Sequence, residues 1–286
     1  MSDIILGVDI GGSHITSALI DQKGKNTIND SFFRSFVNSK GCSDEILDAW
    51  ATTMKRSILG TSLPNLKISI AMPGPMDYGQ GICYIQNQDK YDALFNVDLK
   101  NELANRLGTD PNMIRFKNDA ACFLKGELFA GSLLGMSQAI GLTLGTGLGT
   151  SHSKVGEAYD SDLWKMPFKK GIAEDYISTR WFVKRFYELS EIEIIDVRDI
   201  IENHQDSVFF KTLFLEFSIN LSGFLHKFIR RKMPYAAVLG GNIAKAERFF
   251  LDDTRNFLAK RMGYSFPIEC SLLGENAVLL GAGSSF

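Results

Sequence analysis

The stretch Gly7-Val-Asp-Ile-Gly-Gly-Ser13 has a near-echo in Gly141-Leu-Thr-Leu-Gly-Thr-Gly147, and this repetition constrains the chain more than any other feature. Each copy is an apolar run of strand type that ends in a tight turn of small residues. Glycine in such a turn lets backbone N–H groups approach an anion that a side chain would hold off. Either turn alone reads as a structural hairpin. The pair, with Leu239-Gly240-Gly241-Asn242 after another buried run, favours a nucleotide site. Gly11, Gly12 and Ser13 would then face Gly145, Thr146 and Gly147 across a polyphosphate, with Gly240, Gly241 and Asn242 against ribose or adenine.

Composition narrows the class. A chain of 286 residues is long for one core and comfortable for two lobes. At 45% hydrophobic and 22% charged residues it is globular rather than disordered or coiled coil. A formal net charge of -2 offers no basic surface for nucleic acid. No apolar run is long enough to span a bilayer, and no secretory leader is expected. Cys42, Cys83, Cys122 and Cys270 are scattered without a CxxC pair, which reads as reduced thiols in a cytoplasmic protein.

Periodicity predicts strands over 4–10 and 16–21, a third near 31–37, and a helix from Ser43 with Ile46, Leu47, Trp50, Met54 and Ile58 on one face. A buried strand over 67–72 stops at Pro73-Gly74-Pro75, and Asp98 caps a short helix that ends at Gly108. A strand over 113–117 delivers Asn118 and Asp119 to the start of an Ala-rich helix. The second half repeats the plan: strand 138–144, helices 175–189 and 207–232, strand 235–239, helix 243–261, strand 268–271 and a short helix 275–281. The lobes are expected as 1–118 and 119–286, with 275–286 packing back on the first.

Familiar nucleotide motifs do not fit. Gly145-Thr-Gly-Leu-Gly149 is spaced GxGxG rather than GxGxxG, and neither turn is followed by a Walker lysine. Asp9 in an apolar strand either orients magnesium through water beside phosphates or hydrogen-bonds its own turn; from residues alone both readings stand. Asp119 at a strand-to-helix junction reads as an N-cap, with a role as proton acceptor the competing chemistry. Asn118 beside it could hold substrate hydroxyls. His14 and His152 lie near the turns but read as solvent-facing or capping residues, and the aromatic 209–228 stretch reads as core or a subunit contact.

Six pieces in order resemble the ROK family (repressors, open reading frames and sugar kinases). They are Asp9-Ile-Gly-Gly-Ser13, Ala71-Met-Pro-Gly-Pro75, Lys117-Asn-Asp-Ala120, Leu144-Gly-Thr-Gly-Leu-Gly149, Leu239-Gly-Gly-Asn-Ile243 and Gly281-Ala-Gly283. The resemblance implies an α/β fold of the actin, hexokinase and heat-shock ATPase type, with two ribonuclease-H-like lobes and an interlobe cleft. It implies ATP and magnesium as cofactors, Asp119 as catalytic base, Asp9 on the magnesium side, and phosphorylation of a sugar, most simply at a 6-hydroxyl. Gly74, Asn118, Asp119, Asp162, Lys165 and Glu174 become the expected sugar contacts.

The chain departs from the family at the sugar end. ROK kinases usually carry Glu-x-Gly-His and then a Cys-x-Cys-Gly-x-x-Gly-Cys-x-Glu zinc motif. Here the stretch resembles Asp162-Leu-Trp-Lys165 followed by Lys170-Gly-Ile-Ala-Glu174, so no structural zinc is expected. Repressor members bear a helix-turn-helix ahead of the first turn; with eight residues before Asp9, no DNA-binding role is expected. The reading is a cytoplasmic sugar kinase, a homo-oligomer (dimer) without nucleic-acid or membrane partners, with the 209–228 helix a possible interface. The alternatives are a catalytically silent sugar or nucleotide sensor and a sugar-independent ATPase.

Overall fold

The apolar run Ile4–Ile10 forms β1, and alternation along it decides what each face meets. Leu6, Val8 and Ile10 join the core with Ile46, Leu47, Trp50 and Met54 of helix α1 (Ser43–Ile58). Gly7 faces the other way: a Cβ there would lie 2.8 Å from the carbonyl oxygen of Leu279, in the closing helix Asn276–Gly283. The strand is therefore covered on both sides, which is why its sequence is nearly unbroken in apolar residues. The computed structural model describes residues 4–60, 65–88 and 90–286.

Two compact units emerge, one reaching Gly131 and resuming at Glu275–Phe286, the other Ser132–Gly274. In the first, β1 pairs antiparallel with β2 (His14–Asp21), which carries β3 (Asn26–Thr27) and β4 (Phe33–Phe36). On its other side β1 runs parallel to β5 (Lys67–Met72), and β5 to β8 (Ile114–Asn118), giving the order β3-β2-β1-β5-β8. A small hairpin, β6 (Met76–Asp77) with β7 (Ile82–Cys83), and helix α2 (Leu99–Leu107) lie between β5 and β8. The Asp98 carboxylate accepts from the Asn101 N–H and Gly108 closes α2 in the left-handed region, the cap and stop expected from the residues.

The second unit repeats the order. Strand β9 (Ala139–Leu144) pairs antiparallel with β10 (Leu148–Lys154) and parallel with β14 (Ala236–Gly240), with β11 (Glu157–Asp160) and β15 (Ile268–Cys270) at the edges. Hairpin β12 (Pro167–Phe168) and β13 (Gly171–Ile172) precedes helices α4 (Thr179–Ser190), α5 (Val197–Asn203), α6 (Phe210–Lys232) and α7 (Leu251–Met262). Each unit is thus an antiparallel ribbon continued by three parallel strands. The glycine turns occupy the same place in both, joining the first strand to the second.

Several expectations shift. Helix α3 (Asp119–Ala130) belongs with the first unit, so the division falls at 131/132 rather than 118/119. The reason is contact at backbone distance: a methyl on Gly126 would run into the Ala277 carbonyl, and one on Gly281 into that of Cys122. The expected helix 175–189 becomes a 3-10 turn, Ala173–Tyr176, followed by α4, and 243–261 breaks at Phe250 into a 3-10 segment and α7. In the aromatic stretch 209–228, Phe210, Phe214, Phe217, Phe224 and Phe228 are all buried in their own unit's core, while Leu215 is exposed. Among the described residues no helix is long and apolar enough to cross a membrane.

Replacing Gly281 by Ala inserts a methyl where two helix backbones touch. Overpacking of this kind costs about 1–3 kcal/mol. Urea unfolding of Gly281→Ala should show that loss, whereas the same substitution at Gly145, where a Cβ meets nothing within 4 Å, should leave stability near the wild-type value.

Candidate active site

Parallel strands bring their C-terminal ends to one edge, where loops rather than ladder hydrogen bonds receive the side chains. In the first unit Asp9 stands level with Ala71, Ala71 with Lys117, and Met72 with Asn118. That edge therefore collects the Gly11–Ser13 turn, the Pro73-Gly74-Pro75 loop and the Asn118-Asp119 junction.

The junction resolves a competition left open by the residues. Asn118, not Asp119, caps α3: its Oδ1 accepts from the Ala121 N–H at 3.0 Å. Asp119 is the first helical residue, and its Oδ1 accepts from the adjacent Ala120 N–H at 2.9 Å. The capping role is thus met without Asp119. Asn118 is held from its other end too, since its Nδ2 donates to the Tyr78 hydroxyl at 3.2 Å, which donates to the Met72 carbonyl at 3.0 Å. A Cβ on Gly74 would lie 3.2 Å from the same hydroxyl. Gly74 and Asn118 therefore meet around Tyr78, a residue that sequence reasoning missed although it follows the Pro-Gly-Pro loop closely.

Asp9 keeps a little accessible surface but sits deep in the sheet. Burial, and after it the neighbouring Asp119 carboxylate, pushes its carboxyl from the usual range up to about 7. Arg34 pulls the other way and Glu275 adds to the rise. Arg34 is itself engaged with Glu275 at 2.9 Å, so its charge is shared. Among the described residues no hydrogen bond joins the Asp9 carboxylate to its own turn, which is closed by the Gly11 N–H donating to the His14 carbonyl at 2.9 Å. His14 accepts or donates at Nδ1 to the Ser13 hydroxyl at 2.9 Å and packs edge-on against Phe36.

The turn is anchored from below by a second residue the sequence did not announce. Tyr91 is fully buried beside Trp50, its N–H donates to the Ser39 carbonyl at 2.7 Å, and its hydroxyl donates to the Gly11 carbonyl at 2.6 Å. Gly12 and Ser13 stay exposed above it. A Cβ on Gly12 would find only the Lys90 side chain, at 3.8 Å, and its φ is not left-handed. Internal packing gives no reason for glycine there.

In the second unit the two outer glycines of the turn differ. A Cβ on Gly145 would meet open space, whereas one on Gly147 would collide with the Glu174 carboxylate. Glu174 Oε2 accepts from the Leu148 N–H at 2.8 Å, and its Oε1 is paired with Arg180. Gly145 is held through its carbonyl by the Thr179 N–H at 2.8 Å, while Thr146 is exposed. The third loop braces this turn: Gly241 has φ of 87° and its backbone packs on that of Leu144. Gly240 is buried and Asn242 exposed. Asp162 and Lys165 form an exposed ion pair at 2.5 Å. His152 lies along β10, bonded to the Ser161 hydroxyl at 2.9 Å, with burial and then Lys232 holding its pKa below the ordinary value. No described group of three or more His, Cys, Asp or Glu side chains is gathered as a metal site.

With that geometry established, comparison with known proteins places the chain. Residues 5–157 match the ROK family. The chain belongs to the ROK family. It is 30% identical over 145 residues to a glucokinase of Thermotoga maritima and 27% identical over 148 residues to an N-acetyl-D-glucosamine kinase of Pectobacterium carotovorum. The first match takes in 51% of this chain and the second 50%, and each spans 43% of the relative, so less than half of either enzyme is matched. The fold is that of ROK sugar kinases. A ROK glucokinase from Streptomyces griseus, solved with glucose and AMPPNP, has a TM-score of 0.78 at 19% identity, with 98% of both chains covered.

The capping assignment is directly testable. Asn118→Ala should lower stability by about 1 kcal/mol, the usual cost of losing an N-cap side chain, while Asp119→Ala should cost less. Chemical denaturation of the two variants side by side gives the order.

Proposed function

We propose that this ROK protein is an ATP-dependent sugar kinase in which Asp119 acts as general base. The observation that carries the reading is the pairing of Asp9 and Asp119 at one sheet edge, where each carboxylate raises the cost of the other's charge. A helix cap would not require that arrangement, and Asn118 already supplies the cap. Matches to a glucokinase and an N-acetyl-D-glucosamine kinase support a sugar as acceptor.

On this reading Asp119 accepts the proton of a sugar hydroxyl, most simply the 6-hydroxyl, as that oxygen bonds to the γ-phosphorus and the bond to ADP breaks. Asn118, with its amide fixed between Tyr78 and α3, orients a neighbouring hydroxyl beside Gly74. Backbone N–H groups of Gly11, Gly12 and Ser13, and of Gly145, Thr146 and Gly147, hold phosphate oxygens, and Gly240, Gly241 and Asn242 lie against the adenosine. Asp9 suits magnesium held through water, since a divalent cation offsets the repulsion between the two carboxylates. Bound there with ATP, magnesium neutralises phosphate charge, and because the transition state is loose, positioning and charge neutralisation supply most of the rate. The substrates and the free cysteines accord with a cytoplasmic enzyme.

A second reading, a sugar or nucleotide sensor without turnover, draws on the second unit. There Glu174 is engaged with Leu148 and Arg180, and Asp162 with Lys165, so the three expected sugar contacts of that unit already have partners.

Asp119→Asn keeps the shape and removes the base. Phosphorylation should fall by at least ~100-fold, the usual size of a general-base contribution, with the thermal midpoint little changed. Steady-state kinetics on the folded variant decide it: near-wild-type turnover would take Asp119 out of the catalytic role.

A further inference from the structure

The second unit holds a cleft of about 840 Å³ bounded by hairpin β12–β13, α4 and α6. No residue of either glycine turn lines it, and nothing in the kinase reading uses it. Its chemistry is lopsided. Lys169, Lys170 and Lys184 face it together with Arg180 and Arg185.

Two of the three carboxylates lining the cleft, Glu188 and Glu216, are paired with an arginine. Arg185 takes both oxygens of Glu216, at 2.7 Å each, and one of Glu188 at 3.0 Å. Asp175 accepts from the Ile172 N–H at 2.9 Å, closing the turn that bears the lysines. Arg180 is paired with Glu174. Among the described residues, Lys170 and Lys184 have no carboxylate partner. Lys169 turns inward onto Asn220, a neutral side chain only 2% exposed, and lies 5.2 Å from the Tyr176 ring. Asn220 is an unusual residue to bury on the apolar side of α6, and its Nδ2 makes only a 3.4 Å contact with the Tyr176 carbonyl. Three ammonium groups line this concavity against a single carboxylate, Asp175, that is not paired with an arginine, and the surplus positive charge favours a further anion.

We propose that this cleft is a binding site for a small phosphate-bearing anion, held by Lys169, Lys170 and Lys184 with Asn220 at its floor. A phosphate group fits better than a single carboxylate because its three terminal oxygens can each take a donor, and lysine is a common phosphate binder. Arg180 stands at the rim as a fourth cation. Its partner Glu174 also grips the Leu148 N–H beside the second glycine turn, so the site adjoins the element that fixes that turn. The cleft lies beside the Lys170–Glu174 segment.

The test is calorimetric titration of the whole chain with inorganic pyrophosphate at low salt. A non-hydrolysable ATP analogue is kept in excess to occupy the glycine turns. One saturable equivalent should bind, weaken by about tenfold or more in the Lys170→Ala/Lys184→Ala variant, and weaken likewise in Lys184→Glu. Parallel titrations with inorganic phosphate and a hexose 6-phosphate separate a free anion from a phosphorylated metabolite as the preferred source. No saturable binding of any of the three, or binding unaltered in both variants, overturns the proposal.

Discussion

Two carboxylates, Asp9 and Asp119, sit at one sheet edge close enough that each makes the other's charge more costly, and the first unit is arranged around that tension. Burial alone lifts Asp9, and Asp119 lifts it further, to about 7. Arg34 offsets part of the penalty but is shared with Glu275. A fold that needed only stability would place an apolar residue at the ninth position, as it does at Val8 and Ile10. Helix α3 and the closing helix meet at backbone distance through Gly126 and Gly281, which fixes Asp119 at the start of one and Glu275 just ahead of the other.

The glycine turns belong to the same logic. A glycine forced by left-handed φ or by a close neighbour explains itself, as at Gly241 against Leu144 and Gly147 against Glu174. Gly12 and Gly145 have neither reason. Each sits where the first strand of its sheet turns into the second, with a carbonyl pinned nearby, by Tyr91 at Gly11 and by the Thr179 N–H at Gly145. The turns are held from within and bare on the outside, the arrangement an approaching polyanion requires.

Much of this was legible in the residues because it was local. Strand β1, the Asp98 cap, the Gly108 stop and the repeat itself are short-range patterns that need no tertiary information. The division between units was misplaced because α3 has no amphipathic signature to assign it, and only the small residues of the closing helix decide its company. Tyr78 and Tyr91 stayed hidden for a related reason: their partners, Met72 and Gly11, accept through backbone carbonyls, which no sequence motif marks. Glu174 was expected to face a sugar; its carboxylate accepts from the Leu148 N–H and pairs with Arg180, partners that no local pattern announces.

If Asp119 acts as proposed, ATP turnover in this protein waits for a sugar hydroxyl there. This dependence is tested most directly by measuring ADP release from ATP and magnesium with and without each of a panel of hexoses and amino sugars. Release should depend on at least one sugar and match the sugar phosphate formed mole for mole. Release at the same rate without sugar, or none with any sugar despite a ligand-induced rise in melting temperature, would contradict it.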